Sequence, residues 1–226
     1  VNGFVTVKPD SYITTDSHAG RRPTRAPLPS THSIRAAPVG RVGQVMWLPS
    51  FFSRTFGRAG NNGRMASAPG HVRVRPYMDS DAGITRSIFL QSVTLTAAED
   101  YTKQQIDAWA SPQDRPLDEW NRDRQESGTL VAVVAGVVMG FTDIRETGYI
   151  DMLFVSPKFV RRGIGSALLR EAGNRARIAK APLLYSNVSI TARPFFAHHG
   201  FVEVAEQHPI IHGVQVKNYR MNKHLF

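Results

Sequence analysis

The sequence predicts an α/β protein with a mixed, mostly antiparallel central sheet that is flanked by helices. Residues 129–155 contain three strand-like segments joined by short glycine turns, which is typical of an antiparallel meander. An amphipathic helical segment follows directly, with an apolar line on one side and arginines elsewhere. Strands that alternate with helical segments before and after this region favour a sheet covered by helices.

The ordered part of the chain is predicted to begin at His71. Alternation over residues 71–76 predicts a first strand, and Asp79-Ser80-Asp81 offers an N-cap for the helix that follows. The helical segments are predicted around residues 79–90, 103–109, 117–125, 165–180 and 191–199. The strands after Gly128 are predicted at residues 129–134, 137–144, 149–155, 183–188, 201–204 and 214–221.

Residues 1–68 differ from the remainder in composition. The net charge of the chain is +10, and residues 1–64 hold nine Lys or Arg against two Asp. This segment is rich in Arg, Pro, Ser and Gly and cannot bury enough apolar surface to offset the entropy of ordering. We predict a disordered basic extension, or sequence translated ahead of a start at Met65, followed by a domain over residues 69–226. An organellar transit peptide and a nucleic-acid-binding arm are the alternatives.

Composition excludes several functional classes. The chain has no cysteine, so it has no disulfide, no thiolate metal site and no cysteine nucleophile. No apolar run approaches the roughly 20 residues that a membrane helix needs. The spacing of its His, Asp and Glu residues indicates no metal site. We expect a cytoplasmic protein with no nucleic-acid or membrane partner, and a homodimer stays open.

The most informative motif is the glycine pair at the start of the helix after the meander. The first turn of a helix has unpaired N–H groups and a partial positive charge, and both favour a phosphate. Gly163 and Gly165 would allow a bulky anion to approach, and Arg161 and Arg162 add positive charge. An ordinary strand-to-helix turn is the alternative. No Gly-Lys-Ser/Thr follows, which argues against a nucleotide triphosphatase, and a dinucleotide fold would need a parallel βαβ unit and a third glycine.

Two motifs in this order resemble a known family. The segments RRGIGSALL at 161–169 and ARPFFAHHGF at 192–201, after a meander, are similar to those of the GNAT N-acetyltransferase superfamily, especially its small bacterial single-domain members. The resemblance implies that acetyl-coenzyme A is the acyl donor and that a small-molecule amine is the acceptor. It implies coenzyme contacts from Leu153, Phe154, Val155, Arg161, Arg162, Gly163, Ile164, Gly165, Ser166, Ser189, Phe195 and Phe196.

The chain departs from the family pattern at three positions. Val160 stands where the family loop usually carries Gln or Arg, so one side-chain contact to the diphosphate is missing. Ser189 stands where Asn is frequent, with a shorter reach toward the pantetheine arm. Phe196 stands where a tyrosine often protonates the leaving thiolate, and Phe cannot donate a proton. Phe195 and Phe196 are therefore expected to pack in the core and against the coenzyme.

Asp151 and Tyr219 are the predicted catalytic residues. Asp151 is a carboxylate in an apolar strand, and alternation places it on the face of Leu153, so we expect it to act as base or amine anchor. A structural ion pair with an arginine is the alternative. Tyr219, on the last strand, is a candidate acid in place of the missing tyrosine, with a structural role as the alternative.

Acceptor recognition is expected from the helical region before the meander. Its candidate pocket residues are Thr94, Tyr101, Gln104 and Trp109, with core packing as the alternative for the two aromatic residues. His198 and His199 are expected to stabilise a helix end, and His208 and His212 lie in a loop that could border the acceptor. Two other functions stay open: a non-catalytic acyl-coenzyme A sensor, and a peptide or protein N-acetyltransferase.

Overall fold

A computed structural model describes residues 71–111 and 116–226. The predicted extension over residues 1–68 lies outside this part of the chain. The five α-helices of the described residues are α1 (Ala82–Gln91), α2 (Lys103–Ala110), α3 (Leu117–Glu126), α4 (Ile164–Ile178) and α5 (Arg193–His198). The strands are β1 (Arg73–Pro76), β2 (Leu130–Val134), β3 (Val137–Ile144), β4 (Ile150–Val155), β5 (Leu183–Ser189), β6 (Val202–Gln207), β7 (Ile210–Ile211), β8 (Val214–Gln215) and β9 (Asn218–His224).

The predicted fold class is confirmed, with helices against antiparallel sheets. One sheet has the strand order β1-β2-β3-β4 and the other β5-β9-β6, and every ladder within them is antiparallel. The prediction of one final strand over 214–221 is wrong, because the chain forms the short β7–β8 hairpin before β9 begins. A bond from Val216 N to Pro209 O (2.8 Å) closes this hairpin, and His212 and Gly213 turn it with positive φ.

The two sheets meet where β4 and β5 begin. Tyr149 and Tyr185 form a parallel bridge there, and Tyr185 N donates to the Gly148 carbonyl at 3.1 Å. Gly148 has φ +85, and a Cβ at this position would lie 2.0 Å from the Leu183 carbonyl oxygen. Glycine is therefore required at this junction. The strands β4 and β5 have no further ladder pairs between them in the described residues, so they diverge toward their carboxyl ends.

Apolar clusters pack on both sides of the first sheet. On one side, α4 contributes Leu168 to a core that includes Leu153 and Phe196. On the other side, a second cluster contains Phe89 of α1, Trp120 of α3 and side chains of the β7–β8 hairpin. The close approach of α4 depends on Gly140 of β3, where a Cβ would lie 2.8 Å from the Phe154 carbonyl oxygen and 3.1 Å from Ile164 Cγ2. This contact holds the first turn of α4 beside the end of β4.

Candidate active site

The loop between β4 and α4 holds its backbone in an unusual conformation. Arg161 has φ +61 and Gly163 has φ +77, so both lie in the left-handed region. For a non-glycine residue this costs about 1–2 kcal/mol, and such strain concentrates at functional loops. The first helical bond of α4 runs from Ala167 N to Gly163 O (2.9 Å). The amides at positions 164–166 therefore precede the hydrogen-bonded part of the helix and can bind an anion.

These amides border a cavity of about 380 Å³. The cavity is lined by Val155, Phe159, Arg161, Gly163, Ile164, Gly165, Ser166, Phe195, His198 and His199. Seven of the predicted coenzyme residues are thus brought together at one site. Arg161 is the arginine of the lining, whereas the Arg162 guanidinium lies 5.1 Å from the centre of the Phe159 ring. The lining fits a diphosphate because it combines a helix N-terminus, a cation and an open glycine.

His199 is a site residue that the sequence analysis did not assign to the cavity. Its Nδ1 lies 2.9 Å from the Phe195 carbonyl oxygen and its Nε2 lies 2.9 Å from Ser166 Oγ. A carbonyl only accepts, so Nδ1 carries a proton and donates it to Phe195 O, while Nε2 is hydrogen-bonded to the Ser166 hydroxyl. His199 follows the last residue of α5, as expected of a helix-ending histidine. No sequence signal distinguished this histidine from His198, because the contact spans 33 residues.

The backbone of β4 presents two residues to the gap between β4 and β5. Ser156 N donates to Met139 O at 2.8 Å. In an antiparallel pair, every second residue directs its N–H and C=O toward the neighbouring strand. Phe154, two residues before Ser156, therefore directs its N–H and C=O toward β3. Leu153 and Val155 direct theirs toward the gap, as the predicted pantetheine contacts require. The Val155 carbonyl accepts from Ser92 Oγ at 3.1 Å.

The side chain of Phe154 packs away from the cavity. Its ring stacks on Phe141 at 5.5 Å between centroids and meets Phe89 edge-on at 5.1 Å. It belongs to the cluster formed with α1 and α3, on the side of the sheet opposite α4. Phe154 therefore packs on the face of β4 that is opposite α4. Its predicted contact with the coenzyme stays a prediction.

Asp151 is buried, with 1% of its surface exposed, and pairs with an arginine. Its Oδ2 lies 3.8 Å from Arg145 Nη2. A structural ion pair with an arginine was the alternative predicted for this residue. Regular alternation is interrupted here, because Ile150 and Leu153 both lie in the α4 core and the β3 register shifts opposite them. Simple alternation therefore does not fix the face on which Asp151 lies, and its predicted place on the face of Leu153 stays a prediction. Its role as base or amine anchor stays a prediction.

The second sheet orients α5. The Ser189 hydroxyl accepts from Ala192 N at 3.0 Å, just before α5 begins. Phe196 is fully buried against Phe201, with ring centroids 4.9 Å apart, so its expected place in the core is confirmed. Tyr219 of β9 belongs to the same core, and the Arg193 guanidinium lies 4.3 Å from the centre of its ring. Tyr219 does not line the cavity at the glycine loop.

The predicted acceptor residues fall into two groups. Tyr101 and Trp109 are core residues in edge-to-face contact at 5.4 Å, while Gln104 is exposed. Tyr101 Oη donates to Lys217 O at 2.7 Å and accepts from Ile190 N at 2.8 Å. Burial raises the pKa of this hydroxyl, which therefore stays protonated. Tyr101 thus joins the end of β5 to the start of β9.

The remaining candidates lie near the surface or within a helix. Thr94 Oγ1 donates to Leu90 O at 2.8 Å. His208 is exposed and its Nε2 lies 2.9 Å from Glu206 Oε1, and His212 occupies the β7–β8 turn. Among residues 71–111 and 116–226 no three His, Asp or Glu side chains are grouped as metal ligands. Over the same residues, the longest apolar helices fall short of what a membrane crossing needs.

Comparison with known proteins identifies the family. Residues 97–223, more than half of the chain, match the model of the acetyltransferase (GNAT) domain. The chain belongs to the GNAT acetyltransferase family. A GNAT relative, the uncharacterized N-acetyltransferase YafP of Escherichia coli K12, is 37% identical over 153 residues, which are 67% of this chain and 95% of that protein.

Solved structures agree with this assignment. A GCN5-related N-acetyltransferase from Rhodopseudomonas palustris has a TM-score of 0.65 and 32% identity, over 72% of this chain and 99% of that chain. The PaiA N-acetyltransferase of Thermoplasma acidophilum, in complex with coenzyme A, has a TM-score of 0.53 and 17% identity, over 68% and 99%. YncA of Salmonella typhimurium, with acetyl-CoA, has a TM-score of 0.50 and 21% identity, over 69% and 95%. The last two share the GNAT fold with this chain.

Proposed function

We propose that this GNAT protein transfers the acetyl group of acetyl-coenzyme A to an amine of a small molecule. The observation that carries the proposal is the cavity of about 380 Å³ at the start of α4. Its amides at positions 164–166, the Arg161 guanidinium and the open Cα of Gly163 suit the diphosphate of the coenzyme. The family assignment supports the same donor, and two relatives of the same fold hold coenzyme A or acetyl-CoA.

The gap between β4 and β5 suits the pantetheine arm. The backbones of Leu153 and Val155 face this gap, and an extended amide-bearing chain can pair with them as a further strand would. Val155 also lines the cavity at the glycine loop, so the diphosphate and the arm would be held by adjoining residues. Because the arm would run from the loop past Val155 and then Leu153, this arrangement would position the thioester beside the middle of β4.

The proposed reaction is direct transfer. The amine nitrogen attacks the thioester carbonyl carbon, the new C–N bond forms and the C–S bond breaks. The amine proton passes to Asp151, directly or through water, and the leaving thiolate takes a proton from Tyr219 or from solvent. The products are the acetylated amine and the free thiol of coenzyme A. Holding both reactants in line supplies much of the rate, so a weak or absent acid does not prevent transfer.

Release of free thiol tests the proposal. The full chain is incubated with acetyl-coenzyme A and, separately, with a panel of small amines and a panel of peptides. We expect amine-dependent thiol release with small amines, saturable in both substrates. Release with peptides alone would favour the protein N-acetyltransferase. Coenzyme binding without release on either panel would favour the acyl-coenzyme A sensor, for which the buried Phe196 is the supporting feature.

A further inference from the structure

A row of polar side chains lies on the face of the second sheet that is turned away from α4. Val188 and Tyr219 of neighbouring strands belong to the apolar core around α4. Side chains alternate along a strand, so Asn187, Asn218 and Arg220 lie on the opposite face. Asn187 is on β5, the strand that borders the gap proposed for the pantetheine arm. This face is therefore next to the reacting thioester in the proposed complex.

Several polar atoms of this row are buried without a hydrogen-bond partner in the described residues. Asn218 is 1% exposed, and neither its Oδ1 nor its Nδ2 is bonded. Asn187 is 2% exposed; its Nδ2 donates to Tyr149 Oη at 3.4 Å and its Oδ1 has no partner. Gln207, which pairs with Asn218 in the register of β6 and β9, has an unbonded Oε1. Buried polar groups are normally bonded, so this cluster indicates a ligand.

The chemistry of these atoms favours an N–H donor. Three of the four unbonded atoms are amide oxygens, which accept hydrogen bonds and carry partial negative charge. A primary amine offers two or three N–H groups to such acceptors. The oxygens of Asn187, Asn218 and Gln207 are uncharged, so they can hold the neutral amine that attacks a thioester.

Arg220 adds a cation beside these oxygens. It is the direct register partner of Asn187, and directly opposed residues have Cβ atoms about 5 Å apart. Its guanidinium lies 5.4 Å from the centre of the Tyr185 ring and is paired with no carboxylate of the described residues. On β6 the opposing residue is Ala205, which leaves room beside it. A planar guanidinium in this setting is suited to a carboxylate.

We infer that the acceptor is an amine that also carries a carboxylate, as an amino acid does. The side-chain oxygens of Asn187 and Asn218 accept from the amine, and Arg220 pairs with the carboxylate. The two functions lie within the reach of one small molecule because Asn187 and Arg220 are opposed in the sheet. This inference rests on the proposed function and names the class of amine for the same site.

Matched pairs of amines test the inference. Thiol release by the full chain is measured with the standard amino acids and with the amine that decarboxylation of each would give. We expect kcat/KM for the best amino acid to exceed that of its decarboxylated partner by about 10-fold or more, since hydrogen bonds to charged groups are strong. Equal rates, or a preference for decarboxylated amines, would overturn the inference and leave the proposed function intact. Absence of release with every amine would overturn both.

Two substitutions at Arg220 separate recognition from folding. Arg220→Gln is expected to lower kcat/KM for the amino acid about 10- to 100-fold and to leave the decarboxylated partner unchanged. Arg220→Lys should recover part of the loss. Arg122→Gln, an exposed arginine of α3, removes the same charge elsewhere and should change neither substrate. An equal fall with both members of a pair would assign Arg220 a structural role and contradict the inference.

Discussion

Alanine substitutions at Gly163 and Gly136 can separate the effect of backbone strain on stability from an effect on coenzyme binding. Gly163 and Gly136 have nearly the same left-handed φ, +77 and +82, and a Cβ added at either would meet no atom within 4 Å. Alanine in this region costs about 1–2 kcal/mol, and the stiffer unfolded chain returns about 0.4–1 kcal/mol of it. We expect Gly163→Ala and Gly136→Ala each to lose about 1 kcal/mol of stability. For a domain of this size, that corresponds to a Tm lower by about 2–4 °C.

The two variants should differ in coenzyme binding. Gly163 lines the cavity at the start of α4, whereas Gly136 turns the chain between β2 and β3. A methyl group at Gly163 would stand between the diphosphate and the amides of α4, and losing one charge-assisted hydrogen bond costs about 1.5–3 kcal/mol. Isothermal titration with acetyl-coenzyme A should give a Kd about 10- to 100-fold weaker for Gly163→Ala and unchanged for Gly136→Ala. Equal affinities for two variants of equal stability would refute this account of the loop.

Three further predictions concern single side chains. If Tyr219 protonates the leaving thiolate, Tyr219→Phe lowers kcat by about 100-fold with little change in the Kd of the coenzyme, and an unchanged kcat contradicts that role. His199→Phe should weaken acetyl-coenzyme A binding several-fold by releasing the Ser166 hydroxyl, and an unchanged Kd would show that the hydroxyl needs no partner. Burial opposes the ionisation of Asp81, but hydrogen bonds from Arg75 (2.7 and 2.8 Å) and Met78 N (2.9 Å) outweigh it and hold the pKa of Asp81 below its usual value. The ionised carboxylate therefore stabilises the fold above its unfolded pKa of about 3.9, and this contribution is lost as the pH falls through the folded pKa. Urea unfolding should show Asp81→Asn to be about 2 kcal/mol less stable at pH 7, with the difference shrinking as the pH falls below the unfolded pKa; a difference that persists in acid would contradict the charge argument.

Local signals in the sequence predicted most of the fold. Strand alternation, helix periodicity and glycine turns each act over a few residues, and the elements from β1 to α5 follow them closely. The last strand was predicted as one piece because apolar residues recur from Val214 to Met221. The break there comes from the bond between Val216 and Pro209, which no local pattern reveals.

The site was predictable only in its backbone part. The glycines of the loop have a local reason for their identity, namely a left-handed turn and an open helix end. Contacts between distant residues left no such trace: His199 reaches Ser166 across 33 positions, and Asn187 meets Arg220 only through strand pairing. The register shift near Asp151 likewise depends on the pairing of β4 with β3, so simple alternation along β4 could not fix the face of this residue.

The sequence pattern also did not reveal a buried ion pair. Arg124 and Asp143 form an ion pair that is fully buried, and Thr129 Oγ1 donates to the same carboxylate at 2.6 Å. The arginine lies in a helix with many charged neighbours, so its pattern resembles that of an exposed side chain. Only the packing of α3 on the sheet shows that it points inward.

Backbone amide chemical shifts test most directly whether the glycine loop binds the diphosphate of the coenzyme. The full chain, labelled with ¹⁵N, is titrated with coenzyme A, and the amide signals of each residue are followed. We predict that the largest shifts occur at Gly163, Gly165 and Ser166, with a second group at Leu153 and Val155. Saturable binding whose largest shifts lie elsewhere, for example along β6, would contradict the assignment of the glycine loop as the diphosphate site.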